Sequence, residues 1–488
     1  MLSRNELVIA LTLLSSFLFG VYLNPPAPFT KKDILRSIAQ VAESSPSSPG
    51  TKHVVLGFNA NLDAVILNGN KFIEDFVGPV VMQNLPKVTS GEIDLVEAAD
   101  LAHVFAHHFK TSTAAERSIA SDKLWNELVK YLEENEDLAL IKLGGNAGLM
   151  AEAFVKSNAP CNVTLVGLAG PKLVAKLPPK IIIASGTPEV EILDQIFTTK
   201  LDEVHFIFEY SANAKFGSVT ASKDRANRFI VSRDFSNGVI GAAGLLPPSA
   251  RGADLLVLAG VHLMESLLPS PQAKLERIRQ INQYVAQNSA KRIHLELAST
   301  NGLDFTKTLI QQVQYESLGL NEEEFYSVCK SLGLCMLVED ATLLAKTHVP
   351  NVKRVQQVMG ELFRLLPNLN RIHYHSFGYH LLAQRKSQGE RWPNPKQAVA
   401  AGSLRATLRA CQANKPGDLH GNQLSLLVTG FKLDGESVPR EVSQQQPVVE
   451  FSSQDVDFYI VPVVACLVPK QTVGLGDNIS AFAVAKQL

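Results

Sequence analysis

Cysteine is scarce in this sequence, five residues in 488, and the scarcity is informative. Cys161, Cys329, Cys335, Cys411 and Cys466 are odd in number and lack metal-ligand pairing, so they encode neither a disulfide framework nor a zinc site. One bridge is still compatible with the count. Cys329 and Cys335 are the nearest pair for it, although spacing alone does not establish the pairing. An excess of either charge is also missing, since 46 Lys and Arg face 47 Asp and Glu for a net charge of −1. That balance excludes the broad basic surface of nucleic-acid proteins. Internal repeats are absent too. What remains, at 46% hydrophobic and 19% charged, is a chain able to bury a large core.

One long apolar run stands out. "LVIALTLLSSFLFGVYL" (Leu7–Leu23) follows Arg4 and precedes "NPPAP", with a length between a signal-peptide core and a short membrane span. Residues 1–24 are therefore expected to be a signal peptide or N-terminal membrane anchor. The expected location is the secretory pathway, in the endoplasmic reticulum lumen or outside the cell, with membrane association through residues 7–23 if the segment is kept. Residues 25–50, ending in "AESSPSSPG" (Ala42–Gly50), read as a Ser/Pro linker, and the folded body is expected to fill 51–488. Of the two glycosylation sequons, Asn162 and Asn478, the second falls in a glycine-rich motif and is expected to stay unmodified.

Beyond Thr51, short apolar runs recur: "HVVLGF" (His53–Phe58), "NVTLVGLAG" (Asn162–Gly170), "DLLVLAG" (Asp254–Gly260), "RIHLELA" (Arg292–Ala298) and "RIHYHSF" (Arg371–Phe377). Their length and composition suit buried parallel strands. Helical patterns lie between them, such as "AKLERIRQINQYVAQ" with Leu275, Ile278, Ile281 and Val285 on one face. Together they predict an α/β fold with a doubly wound, mostly parallel sheet, whose ligands bind beyond the carboxyl ends of the strands. Parts of 62–140 and 175–235 break the rhythm, and the strand-like alternation of "HFIFEYSANAKFG" and "RFIVSRDF" predicts a smaller lid subdomain there. Near the end, "PVVEF" and "VDFYIVPVV" alternate like a hairpin.

Several motifs are candidates for chemistry. In "TVGLGDNISAF", Gly474 and Gly476 free the backbone to approach a ligand and Asp477 opens a helix. This is either a capped turn or an anion hole with an acid placed to take a proton from a hydroxyl. "HLE" puts His294 and Glu296 on one strand face, and "NEEE" (Asn321–Glu324) follows. These oxygens suit hydrated Mg²⁺, or the acids simply open a helix. "GFNANLD" offers Asn59, Asn61 and Asp63, and "LGGNAG" offers Gly145 and Asn146: a polyol pocket or two ordinary turns. Arg228 in "ANRFI" is a phosphate clamp or a surface residue. The histidines of "RIHYHSFGYH" lack acids at metal-ligand spacing, so a purine-side pocket or plain core is favoured over zinc.

Taken in order, "GFNANLD", "LGGNAG", "ANRFI", "HLELA", "GLNEEE", "RIHYHSFGYH" and "TVGLGD" resemble the motifs of ADP-dependent glucokinases, in particular the animal type, within the ribokinase-like sugar kinases. The resemblance runs from about Val54 to the C-terminus. It implies a large α/β domain with a lid, and transfer of the β-phosphoryl of ADP to the 6-hydroxyl of glucose. It implies Asp477 as general base, and Gly474, Gly476 and the helix N-terminus as anion hole. Glu296, Glu324 and Asp477 are then the metal residues for Mg²⁺, and Asn61, Asp63, Gly145 and Asn146 the sugar site. Arg228 goes to the phosphates, and His373 and His375 to the nucleotide side. The expected partners are glucose and ADP, with no nucleic acid, and the chain is expected to be a monomer. The short final helix and the segment after "HLELAST" depart from the family pattern. Two other readings stay open: an ATP-dependent ribokinase-like sugar kinase, and a non-catalytic secretory-pathway protein that keeps the fold.

Overall fold

The computed structural model describes residues 30–44, 50–85, 93–111, 115–119, 121–167, 169–184, 202–221, 227–233, 251–268, 270–298, 300, 302–337, 349–433, 438–470 and 473–488. The apolar run Leu7–Leu23 lies outside them. Residues 25–50 are not all linker. Lys31–Glu43 is a helix, opened by a capping box between Thr30 and Asp33. Its residues Ile34, Leu35, Ile38 and Ala42 recur at helical spacing and are buried in the main core. The folded body therefore begins upstream of Thr51, and the Ser/Pro composition is confined to the flanks of the helix.

The apolar runs form the middle of a ten-stranded sheet. Its order is Val449–Ser453, Val456–Pro462, Tyr379–Arg385, Arg371–His375, Ser317–Asn321, Ile293–Glu296, Leu255–Ala259, Lys52–Phe58, Cys161–Val166 and Ile181–Ala184. Neighbours from Arg371–His375 to Ile181–Ala184 are all parallel. Helices pack on both faces, so these strands have little use for polar alternation, and Leu255–Ala259 is buried throughout. At the other edge the predicted hairpin is present: Val456, Phe458 and Ile460 point inward and pair with Val449–Ser453. Chain order reverses between Lys52–Phe58 and Leu255–Ala259, which makes their carboxyl ends the switch point where open sheets bind ligands.

A second, five-stranded sheet has the order Ala115–Ser118, Asn227–Ser232, Val204–Tyr210, Asn61–Ile66 and Leu140–Gly144. Period-two alternation gives it two unlike faces. Ala64, Ile66, Phe206, Phe208, Phe229 and Val231 form the apolar face, packed beneath the helices Gly69–Gln83, Ala98–Thr111 and Asp122–Glu134. Phe105 sits at the centre of this core, with ring centroids 4.9 Å from Phe216 and 5.8 Å from Phe229. Removing its ring would cost about 3–5 kcal/mol. The opposite face carries Asp63, His205 and Ser232, in register across three strands, and Arg228, which pairs with Glu209.

The disulfide is not between the nearest cysteines. Cys411, at the end of the helix Pro395–Cys411, bonds Cys466 across 55 residues of sequence. Cys329 and Cys335 are free thiols with sulfurs 2.7 Å apart.

Candidate active site

A cleft of about 790 Å³ separates the carboxyl ends of the large sheet from the polar face of the small one. Its floor includes Glu296, Asn321 and His375, which terminate three adjacent strands, together with Gly474, Gly476 and Asp477. Its roof includes Glu116, Arg117, Arg228 and Ser232. Carboxyl groups below and the guanidinium groups of Arg117 and Arg228 above suit a polyphosphate carrying a cation on one side.

Asp477 lies in the first turn of the closing helix, Leu475–Ala485. The helix starts two residues before the acid, with Gly474 as its cap at φ 64°. A Cβ at Gly474 would come within 2.3 Å of Leu149 Cδ1, so the turn needs glycine on both conformational and steric grounds. Asn146 Nδ2 donates to Asp477 Oδ1 at 2.8 Å. Burial, reinforced by the nearby charge of Glu296, pushes the Asp477 carboxyl up to about 7; Asn146, His375 and Arg409 oppose the rise. Near neutrality that group can accept a proton and release it again. Its neighbour Asn478 is fully buried and bonded at both ends of its amide, to Arg409 Nη1 and to the Gly474 carbonyl.

The other acids are held individually. Asn321 caps the helix Glu322–Ser331, and both Glu324 oxygens accept from Asn321, one from its backbone N–H and one from its side chain, each at 2.8 Å. Burial raises the Glu324 carboxyl well above the carboxylate range, and the charges of Glu296, Asp477 and Glu322 add to the rise. Burial would raise Glu296 as well, but hydrogen bonding and charge from His294 and His375 outweigh it and hold that carboxyl low. His294 is 3.0 Å from Glu296 and His375 is 4.0 Å away. This convergence of buried carboxyls, repelling one another, fits a cation. Among the described residues no three His, Cys, Asp or Glu side chains are arranged as a ready metal cage.

The remaining predicted residues fall into two groups. Asn146, Arg228 and His375 line the cleft. Asn61, Asp63 and Gly145 stand just behind it: Asn61 Nδ2 donates to Asp63 Oδ1 at 2.8 Å, and Gly145, at φ 76°, packs over Asn59 and Asn61. Burial raises Asp63 to about 6, against the pull of His205 and of its bond from Asn61. The Asn61 Oδ1 is buried with no protein partner, an acceptor that a ligand hydroxyl would satisfy. His373 does not reach the cleft. It is fully buried against Gly402, neither ring nitrogen has a partner, and burial drives its pKa far below the usual range. It is a core histidine, one strand pair below His375, and has no place on the nucleotide side.

Sequence reasoning missed Glu116 and Arg117 on the roof, and His262 and Glu265 after Leu255–Ala259. The strand holding Glu116 is only four residues long and has no readable alternation. The carboxyl-end rule, applied to "DLLVLAGVHLME", would have found His262 and Glu265.

Comparison with known proteins adds three findings. The profile described as ADP-specific Phosphofructokinase/Glucokinase conserved region matches residues 52–486. ADP-dependent glucokinase of Bos taurus is 31% identical over 445 residues, covering 88% of this chain and 83% of the relative, and a probable ADP-dependent glucokinase of Caenorhabditis elegans is 30% identical with 88% and 84% covered. The solved structure of an ADP-dependent kinase in complex with fructose-6-phosphate and ADPβS shares the fold, with a TM-score of 0.64 at 17% identity over 93% of this chain and 97% of that one.

Proposed function

The chain belongs to the ADP-specific phosphofructokinase/glucokinase family, and from that premise we propose that its cleft moves the β-phosphoryl of ADP to the 6-hydroxyl of glucose, releasing AMP and glucose 6-phosphate. The observation that carries the reading is Asp477. It is a buried carboxyl raised to about 7, at the start of a helix whose first-turn residues Leu475, Gly476 and Asp477 line the cleft. In this reading it takes the proton of the sugar hydroxyl, while the N–H groups beside Gly474 and Gly476 hold the transferring phosphoryl.

Asn146, which bonds Asp477, orients the base and is close enough to the cleft to meet the sugar. Asn61 and Asp63 complete that pocket from behind, with the unpartnered Asn61 Oδ1 as an acceptor for a sugar hydroxyl. Arg228, on the roof, neutralises donor phosphate. Glu296, Glu324 and Asp477 would hold Mg²⁺ through its waters. When bound, that ion neutralises phosphate charge in the transition state. The proposal places the protein in the secretory pathway, supported by the apolar run Leu7–Leu23 and by the Cys411–Cys466 bridge, a bond typical of oxidising compartments.

The test is a purified-protein assay with glucose as acceptor, ADP and ATP in parallel, and AMP as the readout. AMP formed in step with glucose 6-phosphate is expected. Sugar phosphate appearing with ATP alone would sink the ADP assignment.

A further inference from the structure

Behind Glu296, a line of buried polar groups runs away from the cleft. His294 Nε2 lies 3.0 Å from Glu296 Oε2, and His294 Nδ1 lies 2.9 Å from Ser317 Oγ. Arg371 Nη1 donates to the same Oγ at 3.0 Å, and Arg371 Nε donates to Gln487 Oε1 at 2.6 Å. Gln487 Nε2 is tied to the Trp392 carbonyl at 3.1 Å, and the guanidinium lies over the Trp392 ring at 5.2 Å. His294, Ser317, Arg371 and Gln487 are all fully buried.

Donor chemistry fixes the direction of each bond. Arginine has only donors, so Ser317 Oγ must accept from Arg371. A 3.0 Å contact between an imidazole nitrogen and a carboxylate oxygen needs a proton between them, which puts the ring proton of His294 on Nε2. Nδ1 is then the acceptor, and the single proton of Ser317 fills it. With Oε2 tied back in this way, Oε1 is the Glu296 oxygen left toward His375 and the cleft. Gly319 on the next strand leaves the seat free: a Cβ there would be 2.1 Å from Glu296 Oε2 and 3.1 Å from His294 Cε1.

We propose that Ser317 and Arg371 are positioning residues for the reaction: by holding the Nδ1 side of the His294 ring they keep its Nε2–H on Glu296 Oε2, and so fix which oxygen of Glu296 faces the cation. The proposal rests on the reading of Glu296 as a carboxylate that holds the metal. Outer-shell partners of this kind typically change metal affinity by about 10–100-fold when removed.

The experiment uses the whole protein, ¹⁵N-labelled at histidine, with Mn²⁺ as the probe and His294→Asn to assign the His294 signals. In the unsubstituted protein His294 should show the Nε2–H tautomer. Ser317→Ala should shift the His294 Nδ1 resonance, since that nitrogen loses its donor, and weaken Mn²⁺ binding, read by electron paramagnetic resonance, by about 10–100-fold. Ser317→Thr, which keeps the hydroxyl, should restore both readouts. A proton on Nδ1 of His294 in the unsubstituted protein overturns the proposal even if the alanine variant fails to fold. Unchanged Mn²⁺ affinity in folded Ser317→Ala, with affinity lost in Glu296→Gln, overturns the relay alone. Unchanged affinity in Glu296→Gln removes the metal reading and the proposal with it.

Discussion

Asp477→Asn should cut turnover at least about a hundredfold and make the protein more stable. The substitution keeps the shape of the side chain and an oxygen able to accept from Asn146 Nδ2, so the closing helix and its glycine cap have no reason to move. What it removes is a proton acceptor, whose contribution is about 10²–10⁴-fold. It also removes a buried charge. The Asp477 carboxyl stands at about 7 in the fold against 3.8 ordinarily, by burial and by the charge of Glu296, a difference worth at most about 4 kcal/mol. The folded-state value is raised, so the ionised form costs stability: the cost is absent below about 3.8 and complete above about 7. The stability gained by the asparagine variant should therefore grow as pH rises through that window. The assays are glucose-dependent AMP formation, ADP binding by calorimetry, and thermal melts at several pH values without added metal. At least about a hundredfold loss of turnover with retained ADP binding and a higher melting temperature is expected. Turnover within tenfold of the parent would remove Asp477 from the chemistry, and a loss of activity accompanied by a lower melting temperature would trace the loss to folding.

Other outcomes follow from the same geometry. Asn146→Ala removes a bond that favours ionised Asp477, so the acidic limb of the kcat/KM pH profile should move to higher pH; an unmoved limb would show that Asn146 does not tune the base. Gly474→Ala must place a side chain at φ 64° and within 2.3 Å of Leu149, so turnover and melting temperature should both fall, by about 1–3 kcal/mol in stability. Arg228→Ala should raise the KM for ADP about tenfold or more with a smaller effect on the KM for glucose; the opposite pattern would move Arg228 to the sugar side. Burial raises the thiols of Cys329 and Cys335 and lifts Cys161 to about 11, so all three should alkylate slowly at pH 8 until the protein unfolds. Fast labelling of the native protein would refute that placement.

The parts of the fold that could be read from sequence are those with a strict period. The parallel strands announced themselves as short apolar runs, and the small sheet through alternation in Val204–Tyr210 and Asn227–Ser232. The helix Lys31–Glu43 was hidden because its Pro- and Ser-rich flanks dominate the composition, although its own apolar spacing is regular. Cys411 and Cys466 meet because the helix and strand carrying them pack together, which spacing along the chain does not encode. His373 and His375 look equivalent by period two. Only depth separates them: His375 ends its strand at the cleft, and His373 lies one pair lower, under Gly402. Glu116 reaches the cleft from a strand too short to carry a pattern.

The two sheets are joined by very little chain at the places described. Asn59 and Ala60 alone separate the large-sheet strand Lys52–Phe58 from the small-sheet strand Asn61–Ile66, and Gly145 alone separates Leu140–Gly144 from the helix Asn146–Lys156. The small sheet is stiffened by its aromatic core, and the joints themselves are packed: Asn59 and Ala60 are buried, with Gly145 and Gly260 against them. Both joints border the proposed sugar residues. A molecule gripped by Asn61 or Asn146 would therefore bear directly on the junction of the two sheets, and the grip on the sugar is as firm as the packing of that junction.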